Sequence, residues 1–114
     1  MKQKKKARQK SVREEILIVD ESFRIHKKKG NGVVRRRVWV NAKDEVTRYS
    51  LAYINHNLFH GDNGRVLGYD NAHGYHHKHY MGMVEPIIFT SFDELEKKFE
   101  QEFEVLHEQV KKTY

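Results

Sequence analysis

The segment from residue 91 to residue 110 carries an apolar stripe that has to be buried. Ser91 is followed three residues later by Glu94, which is the spacing of a capping box at the start of a helix. Apolar side chains then recur at helical spacing on one face, at Leu95, Phe99, Phe103, Leu106 and Val110. We therefore predict one long C-terminal helix that packs against the rest of the chain, because such a helix gains most of its stability from that packing.

The residues before this helix favour β-strands joined by tight turns. Two strands, at residues 23–28 and 33–41, are predicted to form a hairpin through Gly30-Asn31-Gly32, which tolerates a positive φ. Other predicted strands cover residues 16–19, ending in a turn at Asp20-Glu21-Ser22, and residues 48–59, 65–70 and 83–90, with a histidine-rich loop at 71–82. The prediction is an α+β fold, an antiparallel β-meander of about five strands with one long C-terminal helix packed on one face.

Length and composition exclude several classes of protein. The 114 residues are enough for one domain, which we predict at residues 14–114, after a basic, flexible tail at 1–13. The absence of cysteine excludes disulfides, thiolate nucleophiles and cysteine-ligated zinc. Since no apolar run is long enough for a bilayer or a signal peptide, we expect a cytoplasmic protein with no membrane partner.

The positive charge of the chain is concentrated in two places. The net charge is +6, and residues 1–13 hold seven basic and no acidic residues. A second basic group comprises Arg24, Lys27, Lys28, Lys29, Arg35, Arg36 and Arg37. Such groups attract polyphosphate without reading sequence. The alternatives are a solubilising terminus and a solvated strand edge that discourages pairing with other chains.

Residues 68–80 combine histidines with an Asp-Asn pair and three tyrosines, as no other segment does. Four of the eight histidines fall within seven residues, at His73, His76, His77 and His79. The unperturbed pKa of histidine lies near neutrality, so clustered imidazoles can donate protons, accept protons or bind a metal. We expect the chemistry of this protein to take place here.

The first interpretation of this segment is acid–base cleavage of RNA without a metal or other cofactor. A base removes the 2′-OH proton, an acid protonates the leaving 5′-oxygen and a cation stabilises the phosphorane. The candidate catalytic residues are Asp70, His73, His76, His77 and His79, with Asp70 orienting an imidazole. The candidate nucleic-acid-binding residues are Arg35, Arg37, Trp39, Arg65, Lys78 and Tyr75. Tyr69 and Tyr80 are further aromatic residues on which unpaired bases could stack.

The sequence leaves three alternatives open. A His/Asp metal-dependent hydrolase would use a metal site built from Asp70, His73, His76 and His79. A structural role would have Asp70 and Asn71 form a turn while the histidines face solvent. A non-enzymatic nucleic-acid-binding or regulatory protein would use the basic face to position phosphates, with the histidines only shaping the loop.

Two segments carry a resemblance to a known family. Residues 65–80, RVLGYDNAHGYHHKHY, and residues 85–106, EPIIFTSFDELEKKFEQEFEVL, resemble the TumE-like family of prokaryotic toxins from toxin–antitoxin pairs. The resemblance implies that Asp70, Asn71, His73, His76, His77 and His79 are motif positions. It also implies a cytoplasmic cognate antitoxin, often a helix-turn-helix protein that covers the site. Our leading hypothesis is a toxin of this kind that acts on RNA or on the translation machinery. Whether the chain forms a homodimer is left open.

Overall fold

A computed structural model describes residues 14–112 and confirms the α+β fold. Its elements are β1 (Ile16–Arg24), β2 (Val33–Val40), β3 (Val46–Ile54), β4 (Arg65–Asp70), β5 (His77–Tyr80), β6 (Met83–Pro86) and α1 (Phe92–Lys111). The strands form one antiparallel sheet in sequence order, which is the predicted meander. The predicted tail at residues 1–13 lies outside the described residues.

Helix α1 covers one face of the sheet, as predicted. It begins after Ser91, whose hydroxyl oxygen accepts a hydrogen bond from the Glu94 backbone N–H at 3.2 Å. Its buried side chains are Leu95, Phe99, Leu106 and Val110, and the sheet contributes Tyr49, Leu51, Tyr53, Leu67 and Tyr69 to the same core. Within the described residues, no helix is long and apolar enough to cross a membrane.

The predicted turn at Asp20-Glu21-Ser22 is wrong, because β1 runs through it without interruption. In the register of β1 and β2, Asp20 lies opposite Arg37 and Glu21 opposite Arg36. The carboxylates pair with these guanidinium groups at 3.5 Å and 2.9 Å. Opposite charges directly across an antiparallel pair stabilise it, so residues that favour turns elsewhere extend the strand here.

The predicted loop at residues 71–82 is wrong over His77–Tyr80, which form β5. This short strand pairs with β4 on one side and with β6 on the other. The last predicted strand is shorter than expected, since β6 ends at Pro86. Proline has no N–H to donate, and its place at the end of an edge strand avoids the loss of a sheet hydrogen bond.

Strand alternation places six of the candidate residues on the face opposite α1, called here the open face: Arg35, Arg37, Trp39, Asp70, His77 and His79. One cross-strand row on this face contains Arg37, Ser50, Asp70 and His77, and the next contains Arg35, Ala52, Gly68 and His79. The small residues Ser50, Ala52 and Gly68 lie between the arginines of β2 and the histidines of β5. The meander therefore brings together residues that are more than forty positions apart in the sequence.

Candidate active site

Asp70 lies at the centre of a hydrogen-bonded cluster on the open face. It ends β4, directly opposite His77 at the start of β5. Its Oδ1 lies 2.9 Å from His77 Nε2 and its Oδ2 lies 3.0 Å from His79 Nε2. The backbone N–H of Ala72 also donates to Oδ1, at 3.0 Å. The three side chains are 13%, 4% and 12% exposed, so these interactions are largely shielded from water.

The neighbours of His79 determine its protonation state. A guanidinium group has no acceptor, so the 3.0 Å contact from Arg65 to His79 Nδ1 requires that Nδ1 carry no proton. The proton of the neutral ring is therefore on Nε2, which donates to Asp70. Burial and the nearby Arg65 charge lower the pKa of His79, and the Asp70 charge opposes them. His79 is thus held as a neutral imidazole whose basic nitrogen faces Arg65.

His77 has the opposite arrangement, because both of its ring nitrogens face oxygen acceptors. Nδ1 lies 3.1 Å from the backbone carbonyl of Tyr75, and Nε2 faces Asp70. Each contact is a hydrogen bond when the nitrogen concerned carries the proton. The ring of Tyr75 packs over His77 with a centroid separation of 4.5 Å. His77 therefore holds Asp70 in place from the side away from Arg65.

Arg65 reaches this cluster by crossing Gly68. A Cβ at position 68 would lie 2.8 Å from Cδ of Arg65, so the missing side chain makes room for the arginine stem. The Nε of Arg65 also pairs with Asp62 at 2.7 Å, and the Nη1 of Arg65 lies 3.8 Å from Asp70. Two carboxylates and one imidazole thus fix the guanidinium group in one position.

A cavity of about 280 Å³ opens beside the cluster and is called here the arginine groove. Its lining residues are Arg35, Arg37, Ser50, Ala52, Ile54, Asp62, Asn63 and Arg65. Asp70 lies next to the groove, because it pairs directly with Ser50. Guanidinium groups bind phosphate oxygens with well-directed hydrogen bonds. The groove therefore places three such groups next to a neutral imidazole held by a carboxylate. Arg37 and Arg65 pair with Asp20 and Asp62, whereas Arg35 has no ion pair among residues 14–112.

The sequence matches the family model of toxin TumE over residues 2–110. The chain belongs to the TumE toxin family. No curated protein and no solved structure gives a significant match. Membership of a toxin family implies a cognate antitoxin as a partner of this TumE-family chain.

Two of the four clustered histidines lie away from Asp70. The ring of His76 stacks on Phe89 with a centroid separation of 3.9 Å, and its Nδ1 lies 2.9 Å from the hydroxyl of Tyr49, a core residue below α1. Burial, and then the neighbouring His77, lower the pKa of His76. His73 is exposed in a 3₁₀ turn with a φ of 63°. The structure thus separates His73 and His76 from the other two histidines.

The remaining candidates divide between the two faces. Lys78 alternates with the site histidines, points toward α1 and pairs with Glu102 at 2.6 Å. Tyr69 is buried and donates to the same carboxylate, and burial raises its pKa. Trp39 lies on the open face, where Arg48 and Arg37 lie 4.0 Å and 5.2 Å from its ring centroid. In this TumE-family chain Lys78 and Tyr69 thus face α1 and contact Glu102, whereas Trp39 flanks the arginine groove.

The cluster also has the composition of a metal site. Asp70, His77 and His79 each offer a ligand atom, and these atoms lie within 4.8 Å of one another. A histidine that binds a metal through Nε2 needs a proton on Nδ1, which then donates to a second group. Arg65 donates to Nδ1 of His79 and so requires the other tautomer. The arrangement fits proton transfer better than metal binding.

Three site residues were not predicted from the sequence. Asp62 fixes Arg65, Gly68 makes room for its stem, and Ser50 lies between the groove and Asp70. The alternation in His77-Lys78-His79-Tyr80 is a signal for a strand that puts two histidines on one face. No comparable signal marks Ser50 or Gly68, because their roles depend on the register of β3 and β4.

Proposed function

We propose that this toxin cleaves RNA in the cytoplasm by acid–base chemistry that needs no metal, with His79 as the general base. The observation that carries the proposal is the hydrogen-bonded series Arg65–His79–Asp70, in which His79 stays neutral and keeps Nδ1 unprotonated. The lowered pKa of His79 supports this role, because a base must be unprotonated at the working pH.

The proposed reaction starts when an RNA phosphate enters the arginine groove. Arg65 turns its donors to the phosphate oxygens and releases Nδ1 of His79, which accepts the proton of the ribose 2′-OH. The 2′-oxygen attacks phosphorus, the bond to the 5′-oxygen breaks, and that oxygen takes a proton from water at the open groove. The hydroxide that remains takes the proton from the His79 imidazolium, which restores the base. Asp70 stabilises the His79 imidazolium, while Arg35 and Arg37 stabilise the charge on the phosphorane. The products are a 2′,3′-cyclic phosphate and a free 5′-hydroxyl.

The test compares cleavage of single-stranded RNA by the parent protein, His79→Ala and His73→Ala. Removal of a general base typically costs 10²- to 10⁴-fold in rate, and we expect a loss on the order of that range for His79→Ala, with RNA affinity within a few-fold of the parent. His73→Ala is the matched control, since His73 is exposed outside the cluster. Full activity of His79→Ala would disprove the proposal. Loss of activity on adding chelator, with recovery on adding metal, would favour the metal-dependent hydrolase.

A second candidate is a toxin that binds nucleic acid without cleaving it. The arginine groove and the neighbouring Trp39 favour it, since both suit phosphates and unpaired bases. Tight RNA binding by the parent protein with no cleavage would select this candidate. That the antitoxin is a helix-turn-helix protein stays a prediction, and whether the toxin forms a homodimer stays open.

A further inference from the structure

We infer that Lys27–Lys29, called here the lysine turn, is a second contact for the RNA backbone, outside the arginine groove. This inference rests on the proposed function, and it extends the substrate from a single phosphate to a single-stranded segment. The lysine turn connects β1 and β2 and consists of three consecutive lysines in a 3₁₀ helix. All three side chains are exposed.

Local hydrogen bonds give the lysine turn a defined shape. His26 caps it, because its Nδ1 accepts from the backbone N–H of Lys28 at 3.1 Å. The backbone carbonyl of His26 accepts from Lys29 and Asn31 at 2.9 Å and 3.1 Å. Gly30 then ends the turn with a φ of 114°, a conformation that glycine adopts without strain. The lysines are thus presented on a fixed backbone.

A buried side chain anchors the lysine turn to the domain core. Asn55 is 1% exposed, and its Nδ2 donates to the backbone carbonyls of Gly30 and Asn31 at 3.0 Å and 3.2 Å. A buried amide with satisfied donors holds its partners in place, because breaking these bonds would leave polar groups unpaired. Little ordering of this backbone would therefore be needed when a ligand binds.

Within residues 14–112, the lysines of the lysine turn form no ion pair. Several basic residues of the sheet have acidic partners, among them Arg36, Arg37, Arg48, Arg65 and Lys78. Across residues 14–112, no ion pair involves Lys27, Lys28, Lys29, Arg24 or Arg35. Five cations without partners near one end of the sheet create a positive potential that attracts a polyanion.

The lysine turn is connected to the arginine groove by a basic path. Arg24, which ends β1, lies in one cross-strand row with Val33, Ile54 and Arg65. Three strand spacings separate Arg24 from Arg65, or about 14 Å. Arg35 lies in the next row, on the same face, and lines the groove. A single strand of RNA with one phosphate in the groove would therefore pass over Arg24 and reach the lysine turn, whereas a dinucleotide would not.

The experiment measures cleavage of a long single-stranded RNA and of a dinucleotide by the triple variant Lys27→Gln/Lys28→Gln/Lys29→Gln. We expect a several-fold rise in KM for the long RNA, no change for the dinucleotide and an unchanged kcat. The slope of log KM against log salt should shrink by about 2, because three phosphate contacts are lost at about 0.7 each. The matched control removes three exposed lysines of the C-terminal segment, Lys97→Gln/Lys98→Gln/Lys112→Gln, and should change neither substrate's KM.

Two results would overturn the inference. One is an unchanged KM and an unchanged salt slope for the long RNA. This result overturns the inference even if the antitoxin no longer neutralises the triple variant, because the lysine turn would then contact the antitoxin and not RNA. The other is an equal rise in KM for both substrates. If the parent protein cleaves neither substrate, the proposed RNA cleavage is wrong, but the inference about the lysine turn is not yet decided. Fluorescence anisotropy of a labelled oligouridine with His79→Ala, with and without the triple substitution, then decides whether the lysine turn binds RNA.

Discussion

Arg65 determines what His79 can do. A guanidinium group is always a donor, so its contact with Nδ1 selects the tautomer in which Asp70 receives the other ring proton. Burial, and after it the charge of Arg65, lower the pKa of His79, which favours the neutral ring. At the scale of single residues, one arginine thus sets the tautomer of His79 and helps to keep it neutral.

Gly68→Ala tests the effect of Arg65 on His79 without removing any functional group. The new Cβ would lie 2.8 Å from Cδ of Arg65 and 3.3 Å from the carbonyl oxygen of Leu51, so the arginine stem has to move. We expect RNA cleavage to fall at least tenfold, which corresponds to about 1.4 kcal/mol, because Arg65 loses its contact with His79. The measurement is kcat/KM on single-stranded RNA.

The control for this substitution is Gly74→Ser, at a glycine whose added Cβ would meet nothing within 4 Å. Gly74 has a positive φ, so this variant shows what backbone strain alone does to cleavage. Equal losses in both variants, or wild-type cleavage by Gly68→Ala in a folded protein, would contradict the role assigned to Gly68.

At the scale of elements, β1 depends on charge. Glu21→Lys places a lysine directly opposite Arg36, and like charges across an antiparallel pair are unfavourable. We expect the free energy of unfolding to fall by about 0.5 to 1 kcal/mol, as measured by urea denaturation. Glu21→Gln should lose less, because it removes the attraction without adding repulsion. A difference between the two variants that persists in 1 M salt would argue against an electrostatic cause.

The elements that the sequence predicts are those whose signals are local. The cap at Ser91 and the stripe from Leu95 to Val110 define α1 without tertiary contacts. The turn expected at Asp20 fails because its partner Arg37 lies in another strand. The strand at His77–Tyr80 is missed because no regular period persists over residues 71–82 as a whole, and pairing with β4 and β6 makes these four residues a strand. Which histidines meet Asp70 depends on that register.

At the scale of the whole molecule, two histidines on different faces resist protonation. His76 packs between Phe89 and the Tyr49 hydroxyl below the helix, and His79 lies in the cluster on the open face. Burial is the first cause of the lowered pKa of each. In the unfolded chain both would titrate at about pH 6.5. The unfolded state therefore binds more protons than the folded state just below that pH.

This difference predicts that the toxin becomes less stable as the pH falls. Stability rises with pH wherever the unfolded state binds more protons, so the contribution of these histidines is complete above about pH 6.5 and is lost on acidification toward their folded pKa values. We expect the free energy of unfolding to decrease between pH 7.5 and pH 5.5 in urea titrations. His76→Phe keeps a ring against Phe89, and His79→Gln keeps a donor near Asp70. Each variant should reduce the slope of the unfolding free energy against pH by an amount that corresponds to at most one proton. If both variants keep the parent's slope, other groups carry the pH dependence, and the neutral state assigned to His79 loses its thermodynamic support.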